Sequence, residues 1–422
     1  MAPSFEDLRA RSAGDYDPSE ALPKRIPAED VRTAEDVAHN LALRHASLGQ
    51  LLHFYHKFEE QGRIKDDTTA WQVLQKVVLP ETARERCCYV DIMLSRGPKM
   101  ADAMLCHCWG MSFRALVLCA AEYASGLLSR SELEAKTFNG GLSPTVLQTT
   151  FWLHLLSVNH HAGHAPGQVL CETDKTGLLL RHAGAFVVAL DAELEMLGRA
   201  RCLSEIWQAA IAERCVHFTG RLAPKFKDGI AAGDVKRIQD CGCTEADDKE
   251  RLLHDIQCKV LLGAFNRQAA EIVTVGVCKL ALRHAMADNA DSVDLANLLR
   301  NGAEPNTALT KHGETALMRA VQRGWSTHVG TLLGANADPN LSCAGGWTAL
   351  HYAAQLGLTQ LAEALLAVGA DPNAKSHFGQ TPLIEAAERR HAGLVRALLD
   401  ARGDPEQRDA EGVSAAQLLA EQ

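Results

Sequence analysis

At 422 residues the chain is long enough for about two to four domains, and with 47% hydrophobic and 23% charged residues it has the makeup of an ordinary globular protein. A net charge of −9 without any Lys/Arg run argues against nucleic acid as a partner, because phosphate binding needs a concentrated positive patch. No stretch reaches the ~18 uninterrupted apolar residues of a membrane span. The nearest, ALVLCAAEYASGLL, is broken by Glu122, and the polar start has no apolar core for a leader peptide. The 13 scattered cysteines are therefore expected as reduced thiols of a cytoplasmic protein.

Residues 1–28, polar and carrying Pro18, Pro23 and Pro27, read as a disordered segment. Over 29–84 the spacing of apolar residues in VAHNLALRHASLGQLLHFYHKF and TTAWQVLQKVVL predicts helices that stop before Pro80. The segment 85–275 alternates longer helical stretches with short apolar runs at 103–109, 151–158 and 185–190. That alternation predicts an α/β domain with a parallel sheet flanked by helices.

The last third is periodic. Gly313/Thr315, Gly346/Thr348 and Gly379/Thr381 recur every 33 residues, and Gly412 with Ser414 keeps the register. Leu-Leu pairs at 332–333, 365–366 and 398–399 and the turns Asp338-Pro339-Asn340, Asp371-Pro372-Asn373 and Asp404-Pro405-Glu406 share that period. Each Thr is suited to cap a helix, and the Ala pairs 353–354 and 386–387 let helices approach closely. Gly369 and Gly403 are placed to end helices in the left-handed conformation. A unit this small cannot bury its own apolar face, so the units must stack.

These landmarks, above all GGWTALHYAAQLGLTQLAEALLAVGADPN, resemble the ankyrin family over residues 281–422. The resemblance implies an all-α solenoid with a degenerate copy at 281–306, full repeats at 307–340, 341–373 and 374–406, and a half-repeat cap at 407–422. Met318 and Ile384 stand where the family has His, which His351 keeps. Arg390 replaces the Gly that ends the first helix and predicts a longer or strained turn. The resemblance further implies that a protein partner binds the concave face. Its contacts would come from Glu314, Arg319, Gln322 and Arg323, from Trp347, Tyr352, Gln355 and Leu356, and from Glu385, Glu388 and Arg389. Two aromatics flanked by arginines have the composition of an interface hot spot. The competing expectation is that Trp347 or Tyr352 only packs between neighbouring units.

In the middle segment a buried strand ending in Asp191 is followed by a helix with Arg199, Cys202, Leu203 and Glu205. Cys202, Leu203 and Glu205 are similar to the Trp-Cys-Leu-x-Glu helix of Toll/interleukin-receptor (TIR) domains, with Arg201 at the Trp position. His107, Trp109, Gly110, Trp152, Asn159 and His161 match further motifs of TIR-like multidomain proteins, with Cys106 and His160 as departures. The likeness spans residues 68–275 and implies self-association or docking to like domains. Alternatively, it implies NAD cleavage, with Glu205 stabilising a glycosyl cation as nicotinamide leaves. Against that stands a helix glutamate paired with Arg201 or simply solvated.

No metal site is expected. His160, His161 and His164 lie in a Gly/Pro loop without an evident fourth ligand, and alternation along a strand separates Cys106 and Cys108 from His107. Cys241 and Cys243 lack the two-residue spacer of a redox or zinc pair, and no phosphate loop, nucleophile elbow or His-Glu-x-x-His motif occurs. The expectation is a cytoplasmic adaptor without a cofactor, NAD entering only as a substrate under the enzyme alternative.

Overall fold

A computed structural model describes residues 33, 43–92, 101–127, 129–158, 160, 179–180, 183–226, 229–243, 246–287, 292–310 and 312–420. The expected disordered segment 1–28 lies outside the described residues, as do Asn159, His161 and His164. The chain divides into two compact units, Met1–Phe226 with Ile230–Val277, and Lys227–Gly229 with Cys278–Gln422. No described helix is long and apolar enough to cross a membrane.

The first unit is built on a five-stranded mixed sheet in the order β1-β3-β2-β4-β5. Strands β2 (Ala103–Cys106), β3 (Thr150–Trp152), β4 (Ala185–Leu190) and β5 (Cys215–Gly220) are parallel, and β1 (Ala46–Ser47) joins β3 antiparallel at the edge. Every residue of β2, β3 and β4 is buried, which is why they read as continuous apolar runs. The sequence predicted a parallel sheet, but the antiparallel edge strand β1 makes it mixed, and two of the predicted runs are trimmed. The run 103–109 leaves the sheet after Cys106, and 151–158 turns into a short helix, His154–Ser157, after Trp152. Ser157 closes that turn by accepting the Leu153 N–H at 3.3 Å. At the amino end, the Asp102 carboxylate accepts both the N–H and the hydroxyl of Thr150 at 2.9 Å, tying β2 to β3.

Helix α1 (Leu48–Glu60) begins with a capping box between Ser47 and Gln50. A composite helix follows, in segments Ala70–Val73, Leu74–Val78 and Leu79–Thr82, and it runs through Pro80 instead of stopping before it. Proline removes a donor and disturbs the carbonyl four residues back, here that of Lys76. The π-helical middle segment absorbs the disturbance, and the Arg63 guanidinium donates to the Lys76 carbonyl at 2.6 Å. Helices α2 (Phe113–Ser125) and α4 (Ala200–Ile211) pack against β4 and β5, and α3 (Arg130–Phe138) packs on α2. Helices α5 (Ala246–Lys259) and α6 (Leu262–Ala287) follow, and the boundary between the units falls within α6.

The second unit is all helical: α7 (Ser292–Arg300), α8 (Ala316–Gln322), α9 (Ser326–Gly334), α10 (Ala349–Leu356), α11 (Thr359–Ala367), α12 (Pro382–Glu388), α13 (Ala392–Asp400) and α14 (Ala415–Ala420). First helices α8, α10, α12 and α14 stack in a row, and second helices α7, α9, α11 and α13 stack in another. Thr315 and Thr381 cap α8 and α12 by accepting the N–H groups of Met318 and Ile384. The Leu-Leu pairs contribute one fully buried residue each, Leu332, Leu365 and Leu398.

A side-chain ladder joins successive turns. Asn306, Asn340 and Asn373 each accept the N–H of the next repeat's Asp338, Asp371 or Asp404 at 2.8 Å. Asn340 and Asn373 also donate forward, to the carbonyls of Gly369 and Arg402, at 2.9 and 3.1 Å. Left-handed residues end the second helices, but Gly403 is not among them. The equivalent positions are Asn336 (φ 61), Gly369 (φ 92) and Arg402 (φ 67), so the reading of Gly403 as a helix stop is corrected by one residue. The strained turn expected at Arg390 is present: it sits at φ 60, where the sister repeats hold Gly324 (φ 68) and Gly357 (φ 69).

Candidate functional site

In the repeat unit, the fingers between helices are backbone-paired hairpins, with Leu309 bonded to Glu314, Cys343 to Trp347, Ser376 to Gln380 and Asp409 to Val413. Fingers also bond to each other, Ala344 to His312, His377 to Gly345 and Ala410 to Phe378. This fixes the row of side chains that the backbone pairing leaves unassigned. Trp347 and Tyr352 are half-buried, with ring centroids 5.1 Å apart, and Trp347 also meets His351 at 5.7 Å. Beside them Gln322 donates to the Glu314 carboxylate at 3.1 Å, and Arg319 donates to Gln322 at 3.4 Å. Burial, the neighbouring Cys343 and the Glu314 charge hold the Tyr352 phenol neutral well above its ordinary range. Arg323, Leu356, Glu388 and Arg389 are exposed and Gln355 is half-buried. Glu385 departs from the expectation of exposure: it is 4% exposed and accepts from Arg389 at 3.4 Å, so its charge is spent within the repeat. Phe378 at the tip of the third finger was not foreseen, and it is 68% exposed.

His351 ties this row together. Its Nδ1 accepts the Thr348 N–H at 3.2 Å, which leaves Nε2 to carry the proton and donate to the Gln380 carbonyl of the next finger at 3.1 Å. Burial lowers its pKa below the ordinary histidine value, so the ring is neutral and bridges two repeats.

In the first unit, the chain leaves β2 for β3 on one side, whereas from β4 it leaves for β5 on the other. The carboxyl ends of β2 and β4 thus form a topological switch point, the crevice where open α/β sheets bind ligands. Cys106 ends β2 there, followed by His107, Cys108 and Trp109, and Asp191 follows β4. Asp191 accepts the N–H groups of Glu193, Glu195 and Met196 at 3.1, 2.9 and 3.0 Å, closing its own loop. The Cys108 thiol donates to the same carboxylate at 3.6 Å. Glu205, on α4, reaches this edge but is only 9% exposed, and its carboxylate accepts the Cys106 thiol at 3.2 Å. The hydrogen bond with Cys202, burial and the neighbouring Glu205 push the Cys106 thiol well above its ordinary pKa, so it is protonated.

Around Trp109 the rings gather. Trp71, His107, His154 and His160 lie with centroids 5.8, 5.3, 5.7 and 6.2 Å from it, and Trp152 meets His154 at 6.1 Å. Burial pushes His107 down to about 4, and burial with the charges of His160, Arg201 and His107 pushes His154 well below its usual value. Sequence reasoning named His107, Trp109 and Trp152 as motif matches and His160 as a departure from the motif, but not as one cluster, and it missed Trp71 and His154. The latter two come from different segments, His154 from just past the end of β3 and Trp71 from a helix whose Trp71 N–H donates to the Trp109 carbonyl at 3.0 Å. No group of three or more His, Cys, Asp or Glu side chains among the described residues is arranged to hold a metal ion.

Comparison with protein families assigns the second unit. Residues 283–376 match the family model described as ankyrin repeats in three copies, and residues 378–410 match the single ankyrin repeat. The TIR resemblance of residues 68–275 finds no support from a family model, and no curated protein matches the chain. The period, the capped helix pairs, the Asn ladder and the family models agree that residues 283–410 are ankyrin repeats.

Proposed function

We propose that this protein is an adaptor that grips a partner protein with the ankyrin face carrying Trp347 and Tyr352. The observation that supports this is the aromatic pair itself. Two large rings 5.1 Å apart are held in place by finger pairing and His351, yet neither is fully buried. Preorganised aromatics with a polar surround of Glu314, Arg319, Arg323, Gln355 and Arg389 are what a binding hot spot requires. Glu385 contributes by orienting Arg389. Nucleic acid and membrane have no part in this reading, and the compartment is the cytoplasm. All cysteines among the described residues are free thiols, which fits a reducing setting. The α/β unit supplies self-association.

The test is a pull-down with wild type and with Trp347→Ala combined with Tyr352→Ala. If the face is the binding surface, the double variant loses at least about 2 kcal/mol of binding, a drop of roughly thirtyfold or more. An unchanged partner set refutes the assignment.

A second reading, NAD cleavage by Glu205, is favoured by one observation: the carboxylate stands at the switch-point edge beside Cys106. Its burial weighs against it. Nicotinamide release by wild type that disappears in Glu205→Ala would raise the enzyme reading over the adaptor; no release at high protein concentration removes it.

A further inference from the structure

Three ring nitrogens of the cluster at the switch point are buried without a hydrogen-bond partner among the described residues: His107 Nε2, His154 Nδ1 and Trp152 Nε1. His107 is 9% exposed and Trp152 is 1% exposed. Buried polar atoms in folded proteins are almost always satisfied, so three on rings linked through Trp109 and His154 point to a group that completes them. An indole N–H can only donate, and a neutral His154 can carry its proton on Nδ1, so these two atoms call for an acceptor, which His107 Nε2 joins as a donor once protonated. The field has the matching sign. The charges that reach His154 are those of His160, Arg201 and His107, all positive or able to become so. Of the carboxylates at this edge, Glu205 accepts the Cys106 thiol and Asp191 accepts three backbone N–H groups and Cys108, while Glu195 places an oxygen 3.6 Å from the Cβ position of Gly110, and none of the three is among the charges that reach His154. Arg201 lies in the first turn of α4, whose N-cap residue Arg199 makes no side-chain cap, so the helix start adds positive potential.

We propose that this edge of the first unit binds the carboxylate or phosphate group of a small organic molecule, with His107, His154 and Trp152 as donors, Arg201 as counter-charge, and Trp109 and Trp71 flanking its flat apolar part. Trp71 is 48% exposed and meets Trp109 edge to face, so the outer side of the cluster is open to such a ring. The chemistry fixes the proton balance. His107 Nδ1 is engaged by its own backbone, so the neutral ring carries its lone pair on Nε2. Donation to an oxyanion from that atom requires a proton taken up from solvent, and the anion in turn raises the pKa of the imidazole that receives it. Binding therefore consumes protons and tightens as the pH falls.

The test uses the full chain with three probes: benzoate, phenyl phosphate and inorganic phosphate. Binding is followed by indole fluorescence and by calorimetry in two buffers of different ionisation enthalpy. The expected result is saturable binding that tightens severalfold, about three- to tenfold, from pH ~8 to pH ~6 with net proton uptake. Benzoate or phenyl phosphate should exceed inorganic phosphate, and whichever is tighter identifies the anionic group. Arg201→Gln, on the half-buried side of α4, should weaken binding by about tenfold while circular dichroism stays unchanged. His154→Gln keeps a donor but cannot titrate, so it should bind with less proton uptake. The proposal is overturned if no probe binds wild type near pH 6, or if binding takes up no proton and is indifferent to Arg201→Gln.

Discussion

Arg390 offers the sharpest test of the reasoning about the repeats. It occupies the left-handed region at φ 60, where the two preceding repeats place Gly324 and Gly357 at nearly the same angle. A residue with a Cβ pays about 1–2 kcal/mol there. Glycine avoids that cost but loses about 0.5–1 kcal/mol more entropy on folding. Arg390→Gly should therefore stabilise the third repeat by about 0.5–1 kcal/mol. The converse changes calibrate the scale. Nothing lies within 4 Å of a Cβ built on Gly324, so Gly324→Ala should cost only the conformational ~1 kcal/mol. A Cβ on Gly357 would sit 2.7 Å from His391 Nδ1, so Gly357→Ala should cost about 2 kcal/mol or more. Amide hydrogen exchange along α13 in the full chain reads the local stability, and Arg390→Gly should slow it about two- to fivefold. Arg390→Ala is the control, since it removes the side chain but keeps the strain. If Arg390→Gly gains nothing over Arg390→Ala, backbone conformation is not what the third repeat lacks.

The Asn ladder predicts a graded series in urea unfolding. Asn340→Ala deletes two inter-repeat bonds and should cost about 1–2 kcal/mol, and Asn306→Ala, which deletes one, about half of that. Equal effects would show that the ladder is incidental. His351 has a pKa lowered in the fold, so the unfolded chain takes the proton first. Stability should be steady above the ordinary histidine value near 6.5 and fall as the pH drops below it, by up to about 1.4 kcal/mol per pH unit until the folded ring also titrates. Unfolding at a series of pH values, repeated with His351→Leu, measures the contribution; an identical slope in the variant refutes it. A nuclear magnetic resonance titration should find the His107 ring neutral down to about pH 4, and protonation near the ordinary histidine range would overturn the burial argument.

The repeats were legible because each landmark is local: a Thr caps a helix three residues on, and a Leu faces inward wherever the period puts it. The same locality explains the two slips there. Gly403 looked like the helix stop because glycine is the usual left-handed residue, yet the register puts Arg402 at that angle. Glu385 was assigned to the exposed row because its neighbours are, and only the fold shows Arg389 closing over it. In the first unit, β4 announced itself as an unbroken apolar run, but β5, CVHFTG, is exposed at its start and carries His217 and Thr219, so no pattern marked it. The two-residue β1 is below any periodic signal. Pro80 was read as a stop because the sequence does not show that Arg63 waits to satisfy the carbonyl that proline strands. The ring cluster was invisible for a different reason: its members are drawn from separate segments between Trp71 and His160, made neighbours by the strand order and by the backbone bond from Trp71 to Trp109.

The Asn rungs make the ankyrin array a modular object. In each rung the Asp N–H donates back to the preceding Asn, so a block of 33 residues such as 341–373 carries both halves of a junction, the donating Asp371 and the accepting Asn373. Duplicating that block would lengthen the array with every rung filled, whereas a block one residue shorter or longer would strand a donor at the seam. Glu406, at the next position of the Asn series, has no amide with which to donate onward, so a copy grafted after it would lack the forward half of the rung.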